Sequence, residues 1–240
     1  MAKKLLEIES QSAFQRAEFI FIEPDSPGRE RELLIPFCEE HANCRCITLE
    51  ERVGLYQAWN LGWDEALAPL ICISNMDDAM HPQLLEHVLN GAATQDWDIA
   101  SVLIAKQGID ADINRWHHQR LRKLELSTRP GPFFAWKREL KSSIGIFDVR
   151  FEIGGDKDFW ARATHAKLQV HLIPKILYLY TKHPAQLSKR PEFKMKKKAD
   201  YKLGTEKAYP YVWPANLHQK IRWIRWFRKV PIFGNRFLDV

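Results

Sequence analysis

Cysteine is scarce, long apolar runs are missing, and the familiar short catalytic signatures are absent. The four cysteines, Cys38, Cys44, Cys46 and Cys72, form no CxxC pair and no zinc spacing. That sets aside a disulfide framework and a zinc module, and suits structural thiols in a reduced intracellular compartment. The start, Met1 to Leu6, is basic, but Glu7 and Glu9 interrupt its apolar stretch, so no signal peptide is read there. No apolar run approaches bilayer-spanning length. The expectation is a cytoplasmic protein. There is no P-loop, no Gly-x-Ser-x-Gly elbow, no His-Glu-x-x-His pair and no internal repeat.

What is present is an ordinary globular composition with an uneven charge. At 240 residues, 45% apolar and 28% charged, the chain can bury one good core with a small appendage. Residues 181–240 hold 15 Lys/Arg against 4 Asp/Glu, whereas the first 180 hold 21 against 26. An acidic body with a basic tail suited to an anionic surface follows. Several of the nine Trp lie near the C-terminus. We place a domain at residues 1–187 and a basic, aromatic tail at 188–240.

The chain is organised around Pro69 to Met80. Pro69–Ser74 reads as a strand buried on both faces, and it ends in Asn75-Met76-Asp77-Asp78 before His81-Pro82 opens a helical pattern. Ligands of parallel α/β sheets bind beyond strand carboxyl ends. On extended backbone Asn75 and Asp77 would face one ligand together, and hard oxygen donors there suit Mg²⁺ or Mn²⁺ shared with a diphosphate. The alternative is a helix-capping turn with both aspartates solvated.

Elsewhere, strands are expected at Ala17–Glu23, Cys44–Leu49, Asp98–Ala105, Leu168–Pro174 and Ile176–Tyr180. Helices are expected through Cys38, over Arg52–Leu67, from Leu84, over Lys137–Ser142 and over Asp156–Ala166. Such alternation predicts an α/β fold with a mixed, mainly parallel sheet flanked by helices. Residues 106–130, with His117-His118, read as a long loop or short helix.

Several motifs then occur in a familiar order. They are Phe21-Ile22-Glu23-Pro24-Asp25-Ser26-Pro27, Gly54 to Gly62 with Ala58-Trp59-Asn60, Asn75-Met76-Asp77-Asp78, Trp136-Lys137 to Phe147-Asp148, and Gly155-Asp156-Lys157-Asp158-Phe159-Trp160-Ala161-Arg162. Together, residues 18–190 resemble the family 2 glycosyltransferases of GT-A fold. Three departures stand out: Trp59 replaces a common Arg, Asn75 replaces the first aspartate of the metal motif, and the family's first strand has no counterpart. That strand normally sits mid-sheet and touches the nucleotide, so its absence leaves a gap in core and donor pocket: either the sequence starts late, another segment fills the place, or donor binding is impaired.

The resemblance implies a metal-dependent, inverting sugar transfer from a nucleotide-sugar donor to a glycan or lipid-linked acceptor in surface polysaccharide synthesis. It assigns Mn²⁺ or Mg²⁺ to Asp77 and Asp78, with His183 either a further contact or an exposed loop histidine. Glu23, Asp25, Asn60 and Asn75 fall on the donor side. Asp156 becomes the general base, with Asp158 its first alternative. Trp136, Asp158 and Trp160 lie on the acceptor side, although Trp160 also suits the core, and acidic residues in a first helical turn need no catalytic role.

The basic tail carries its own pattern. Over residues 218–230, Trp223, Ile224, Trp226, Phe227 and Val230 gather on one helical side, and Arg222, Arg225 and Lys229 on the other. Such a helix either lies in a membrane interface, aided by Lys194, Lys196, Lys197 and Lys198, or docks on the body. The first option makes the protein peripheral on the cytoplasmic face of an anionic membrane. Two other functions compete: an inactive relative acting as a binding protein, and a nucleic-acid-binding protein using the tail, against which the acidic body speaks.

Overall fold

The computed structural model describes residues 1–26, 28–108, 125–126, 132–184, 186 and 190–207. In chain order the elements are α1 (Ala2–Glu9), a 3-10 turn (Phe14–Arg16), β1 (Phe19–Pro24), α2 (Glu30–Glu40), β2 (Cys44–Leu49), α3 (Leu55–Glu65), β3 (Leu70–Cys72) and β4 (Ala79–Met80). They continue with α4 (Leu84–Thr94), β5 (Ile99–Gly108), β6 (Glu125–Leu126), β7 (Phe134–Lys137), α5 (Leu140–Ile144), α6 (Gly155–His165), β8 (Val170–Lys182) and α7 (Phe193–Thr205).

The strands form a mixed α/β arrangement. β5 is the central strand: Ile99 through Ala105 are all buried, which is why the sequence there is a continuous apolar run broken only by Ser101. β5 pairs in parallel with β8 and antiparallel with β7. The full order is β3-β7-β5-β8-β4, with β6 attached to β5. β1 and β2 pair in parallel and form a separate two-stranded sheet.

That separation falls between β1 and β3, which share no ladder. The space is bridged by side chains: Leu5 and Ile8 of α1, together with Phe14, pack in one cluster with Phe21 and Phe37 beside the small sheet and with Met80, Leu84 and Tyr178 beside the large one. β3 is consequently not the doubly buried strand its sequence suggests. It is three residues long, with Leu70 and Ile71 half-buried and Cys72 exposed, because a strand needs neighbours to bury it.

β8 also departs from expectation. It is one strand rather than two, with Ile173 opposite Val102 and Ile176 opposite Leu103. The two skipped residues, Pro174 and Lys175, form a bulge that absorbs a proline without ending the strand.

A second core is aromatic. Tyr56, Trp63, Phe134, Trp136, Phe147, Phe159 and Trp160 pack beneath α6, and Phe147 stacks on Phe159 with ring centroids 4.8 Å apart. Leu203 of α7 packs against this core. Residues 190–207 therefore lie on the body, although the charge pattern places a boundary at 188. His117-His118 and the amphipathic stretch 218–230 fall outside the described residues. Among the described residues, no helix is long and apolar enough to cross a membrane.

Candidate active site

The Asn75–Asp78 segment is a turn, not an extended run. Asn75 Nδ2 donates to Asp78 Oδ2 at 3.0 Å, so Asn75 faces Asp78 rather than sharing an outlook with Asp77. Asp78 is buried. Its carboxylate also accepts from the Tyr178 hydroxyl at 3.1 Å and from Thr181 N–H at 2.9 Å. Burial pushes its carboxyl up to about 6, against the pull of these donors. Asp78 thus binds the turn to β8, and the role of supporting metal ligand does not fit a carboxylate this enclosed.

Asp77 has the opposite setting. It is exposed, and His183 Nε2, beyond the end of β8, lies 2.8 Å from its Oδ2. Two residues 106 positions apart are brought into one pair. Behind them, buried Lys4 of α1 donates to Glu7 Oε1 at 3.0 Å, Ser74 Oγ at 3.1 Å and the Asp78 carbonyl at 2.9 Å. Glu7 in turn accepts from Met80 N–H at 2.6 Å. Burial lowers the Lys4 pKa despite Glu7 beside it. The N-terminal helix therefore grips the turn from inside, a role its sequence gave no sign of.

Asp156 opens α6 directly after Gly154-Gly155. Desolvation raises its pKa, opposed by Lys157, by main-chain N–H groups and by the Tyr56 side chain. Two residues on, Asp158 is buried and committed: Arg162 lies 2.9 Å from one oxygen and Lys207 2.7 Å from the other. Arg162 also donates to the carbonyls of Ile144, Gly145 and Ile146. Asp158 is thereby a strut rather than an acceptor-side group. Trp136 and Trp160 are 0% exposed, so neither can wall an acceptor; both belong to the aromatic core.

At the end of β1, Glu23 is 3% exposed. It accepts from Ser26 N–H at 2.6 Å and pairs with Arg31, which also donates to the Leu49 carbonyl. Burial alone would raise its pKa, but Arg31 and Ser26 prevail and hold it below the usual range. Asp25 is exposed beside them, 3.8 Å from Arg31, with a φ of 49°. Only Asp25 of this pair keeps a carboxylate open to a ligand. The Asn60 amide is taken up by the main chain of Phe147, which removes it from the donor side.

Residues 3–154 match the model of the family described as Glycosyl transferase family 2. The chain belongs to that family. Among solved structures it is similar to residues 1–349 of S. aureus TarS in complex with UDP-GlcNAc, at 16% identity and a TM-score of 0.60, covering 76% of this chain and 54% of that one. It is also similar to the mannosyltransferase PcManGT from Pyrobaculum calidifontis in complex with GDP-Man and Mn²⁺, at 15% identity and a TM-score of 0.57, covering 87% and 61%. The chain thus spans little more than half the length of these two proteins, and at such identities the likeness speaks to the fold. No curated protein matches the chain.

For a family 2 member the donor set at Asp77 suits a shared cation. The exposed Asp77 carboxylate offers one protein ligand and leaves the remaining positions to phosphate oxygens and water, as Mg²⁺ usually requires, while His183 Nε2 stands in hydrogen-bond contact with that carboxylate at 2.8 Å. Among the described residues, no group of three or more His, Cys, Asp or Glu is arranged to hold a metal. Lys4, Tyr56, Tyr178, Asp200 and Lys207 are the residues that sequence reasoning missed. Of these only Tyr56 lay inside a motif, the Gly54–Gly62 segment.

Proposed function

We propose that the chain transfers a sugar from a nucleotide-sugar donor to a glycan or lipid-linked acceptor, with inversion at the anomeric carbon, in the assembly of surface polysaccharide. The observation that carries this reading is the Asp77–His183 pair at the end of β3 and β8, in a chain of family 2. Asp77 and His183 would hold Mn²⁺ or Mg²⁺, which when bound neutralises charge on the departing diphosphate. Asp156 takes the proton of the acceptor hydroxyl as its oxygen forms the new bond to the anomeric carbon. The old carbon–oxygen bond breaks, and the nucleoside diphosphate leaves with the electron pair. The UDP-GlcNAc and GDP-Man named for the two similar structures support donors of this class.

The basic composition of residues 181–240 and the pattern over 218–230 support attachment to the cytoplasmic face of an anionic membrane, where a lipid-linked acceptor would be confined. One observation favours a second reading, a binding protein without turnover: β1 and β3 share no ladder, and among the described residues no strand joins them. Calorimetric titration of UDP-GlcNAc and GDP-Man, with and without Mn²⁺, separates the two. The transferase reading expects Mn²⁺-dependent binding that Asp77→Ala abolishes and His183→Ala weakens. Binding that ignores both Mn²⁺ and Asp77 would overturn the metal assignment. No binding of any nucleotide sugar would favour the second reading.

A further inference from the structure

Two side chains from distant elements close on the backbone immediately before Asp156. From α7, Asp200, 7% exposed, accepts three main-chain hydrogen bonds. Its Oδ1 receives Glu152 N–H at 3.1 Å, and its Oδ2 receives Ile153 N–H and Gly154 N–H at 2.8 Å each. From α3, the Tyr56 ring lies so close to Gly155 that a Cβ there would sit 2.8 Å from it. The Tyr56 side chain also opposes the rise that burial causes in the Asp156 pKa. Gly154 leaves room on the other side, where a Cβ would come 3.2 Å from Asp200 Oδ2. The glycine pair therefore has a packing reason at each position: one admits Asp200, the other Tyr56.

The same helix ties down the rest of α6. Lys207, just past α7, lies 2.7 Å from both Asp158 and Asp148, and Lys196 pairs with Glu152. Lys196, Asp200 and Lys207 lie beyond residue 154, where the match to the family ends. A helix start can be capped by its own neighbouring residues. Here no side chain caps α6; a buried carboxylate 46 to 48 residues away instead fixes three consecutive N–H groups at the approach to Asp156.

We propose that Asp200 is a positioning residue for Asp156: by pinning the 152–154 turn it sets where α6 begins and so where the Asp156 carboxylate stands. This rests on Asp156 being the base. A misplacement on the order of 1 Å can cost about a hundredfold in rate, so a clamp of this kind governs turnover without touching substrate. The C-terminal segment is then part of the catalytic apparatus, which a charge-based boundary at 188 conceals.

The test uses the full chain and three variants: Asp200→Ala, Asp200→Asn and Asp156→Asn. Amide exchange is followed at Glu152, Ile153 and Gly154, and the Asp156 carboxyl is titrated by carbon NMR, assigned by its loss in Asp156→Asn. Turnover is read with UDP-GlcNAc and GDP-Man in Mn²⁺. In Asp200→Ala the three amides should lose protection, the Asp156 titration should move down, and kcat should fall about tenfold or more with donor KM unchanged. Asp200→Asn keeps an acceptor oxygen and should recover part of each effect. Equal titration shifts in the two variants would reveal only the lost charge and overturn the proposal. So would exposed amides with an unmoved Asp156 titration, which would make Asp200 a cap and nothing more. Should Asp200→Ala fail to fold, Gly154→Ala displaces the same carboxylate and is read identically. Parent turnover in Asp156→Asn would sink the base assignment, while the titration still judges the positioning.

Discussion

Asn60 and Phe147 hold each other through two reciprocal hydrogen bonds: the Asn60 amide donates to the Phe147 carbonyl at 2.8 Å and accepts from its N–H at 2.9 Å. The pair is buried and joins α3 to the segment that leads into α6. Removing the amide would strand a buried N–H and a buried carbonyl. Asn60→Ala should therefore lose about 2 kcal/mol or more of stability in urea unfolding, with nucleotide affinity of the folded protein unchanged. A variant of parent stability with weakened nucleotide binding would return Asn60 to the donor side.

Gly155 sits under the Tyr56 ring with no room for a methyl group. Gly155→Ala should cost about 1–3 kcal/mol by overpacking and should lower turnover as well, because Tyr56 must move away from Asp156. Gly204, whose Cβ would meet nothing within 4 Å, is the control. Gly204→Ala in α7 should be neutral or stabilising in the same thermal melt. Equal behaviour of the two variants would refute the packing argument.

Asp156→Asn should leave donor binding intact while transfer falls by about two to four decades. Desolvation raises the Asp156 pKa, so its basic form is lost as pH falls, starting above the ordinary aspartate range. The acid limb of kcat/KM, which reports the free enzyme, should lie correspondingly high. A raised folded-state pKa gives stability that is full at low pH and lost as pH rises through it. Asp156→Asn should hence melt no lower than the parent at neutral pH. An acid limb at the ordinary aspartate position would argue against this group.

Asp148 shows the reverse sign. Hydrogen bonds from Arg150, and then the Lys207 ammonium, hold its carboxyl well below the usual range despite partial burial. A depressed folded-state pKa gives stability present above the unfolded value, roughly pH 4, and lost as pH falls through the folded one. The stability gap between the parent and Asp148→Asn should shrink on acidification from about pH 5 to 3. A gap that stays constant over that window would show that the ion pairs are not coupled to folding.

Much of the fold was legible because burial writes itself into composition. The run Ile99–Ala105 marks a central strand, and the spacing of Leu55, Trp59, Leu61 and Ala66 marks a helix at α3, although the residues that helix buries are Tyr56, Asn60 and Trp63 and Leu55 is exposed. Site chemistry was less legible because adjacent residues of one type diverge in three dimensions. Asp77 and Asp78 are neighbours with the same side chain, yet one is exposed beside His183 and the other is enclosed by Tyr178 and Thr181. Trp160 carries the same motif whether it faces an acceptor or a core, and only packing decides. Asp200 lay in a lysine-rich stretch read as an attraction for an anionic surface, and nothing local signals its three main-chain partners.

The seam between β1 and β3 also bears on how the molecule loses its structure. Sheets joined by a ladder unzip together, whereas sheets joined through side chains alone can part without breaking a strand–strand hydrogen bond. The β1–β2 pair, flanked by α2 and α3, is such a detachable layer, stapled to the rest by Leu5, Ile8 and Phe14. Opening there would free the end of β1 at Glu23 while β5, β7 and β8 stayed zipped, so amide protons of β1 and β2 should exchange through a cheaper route than those of β5.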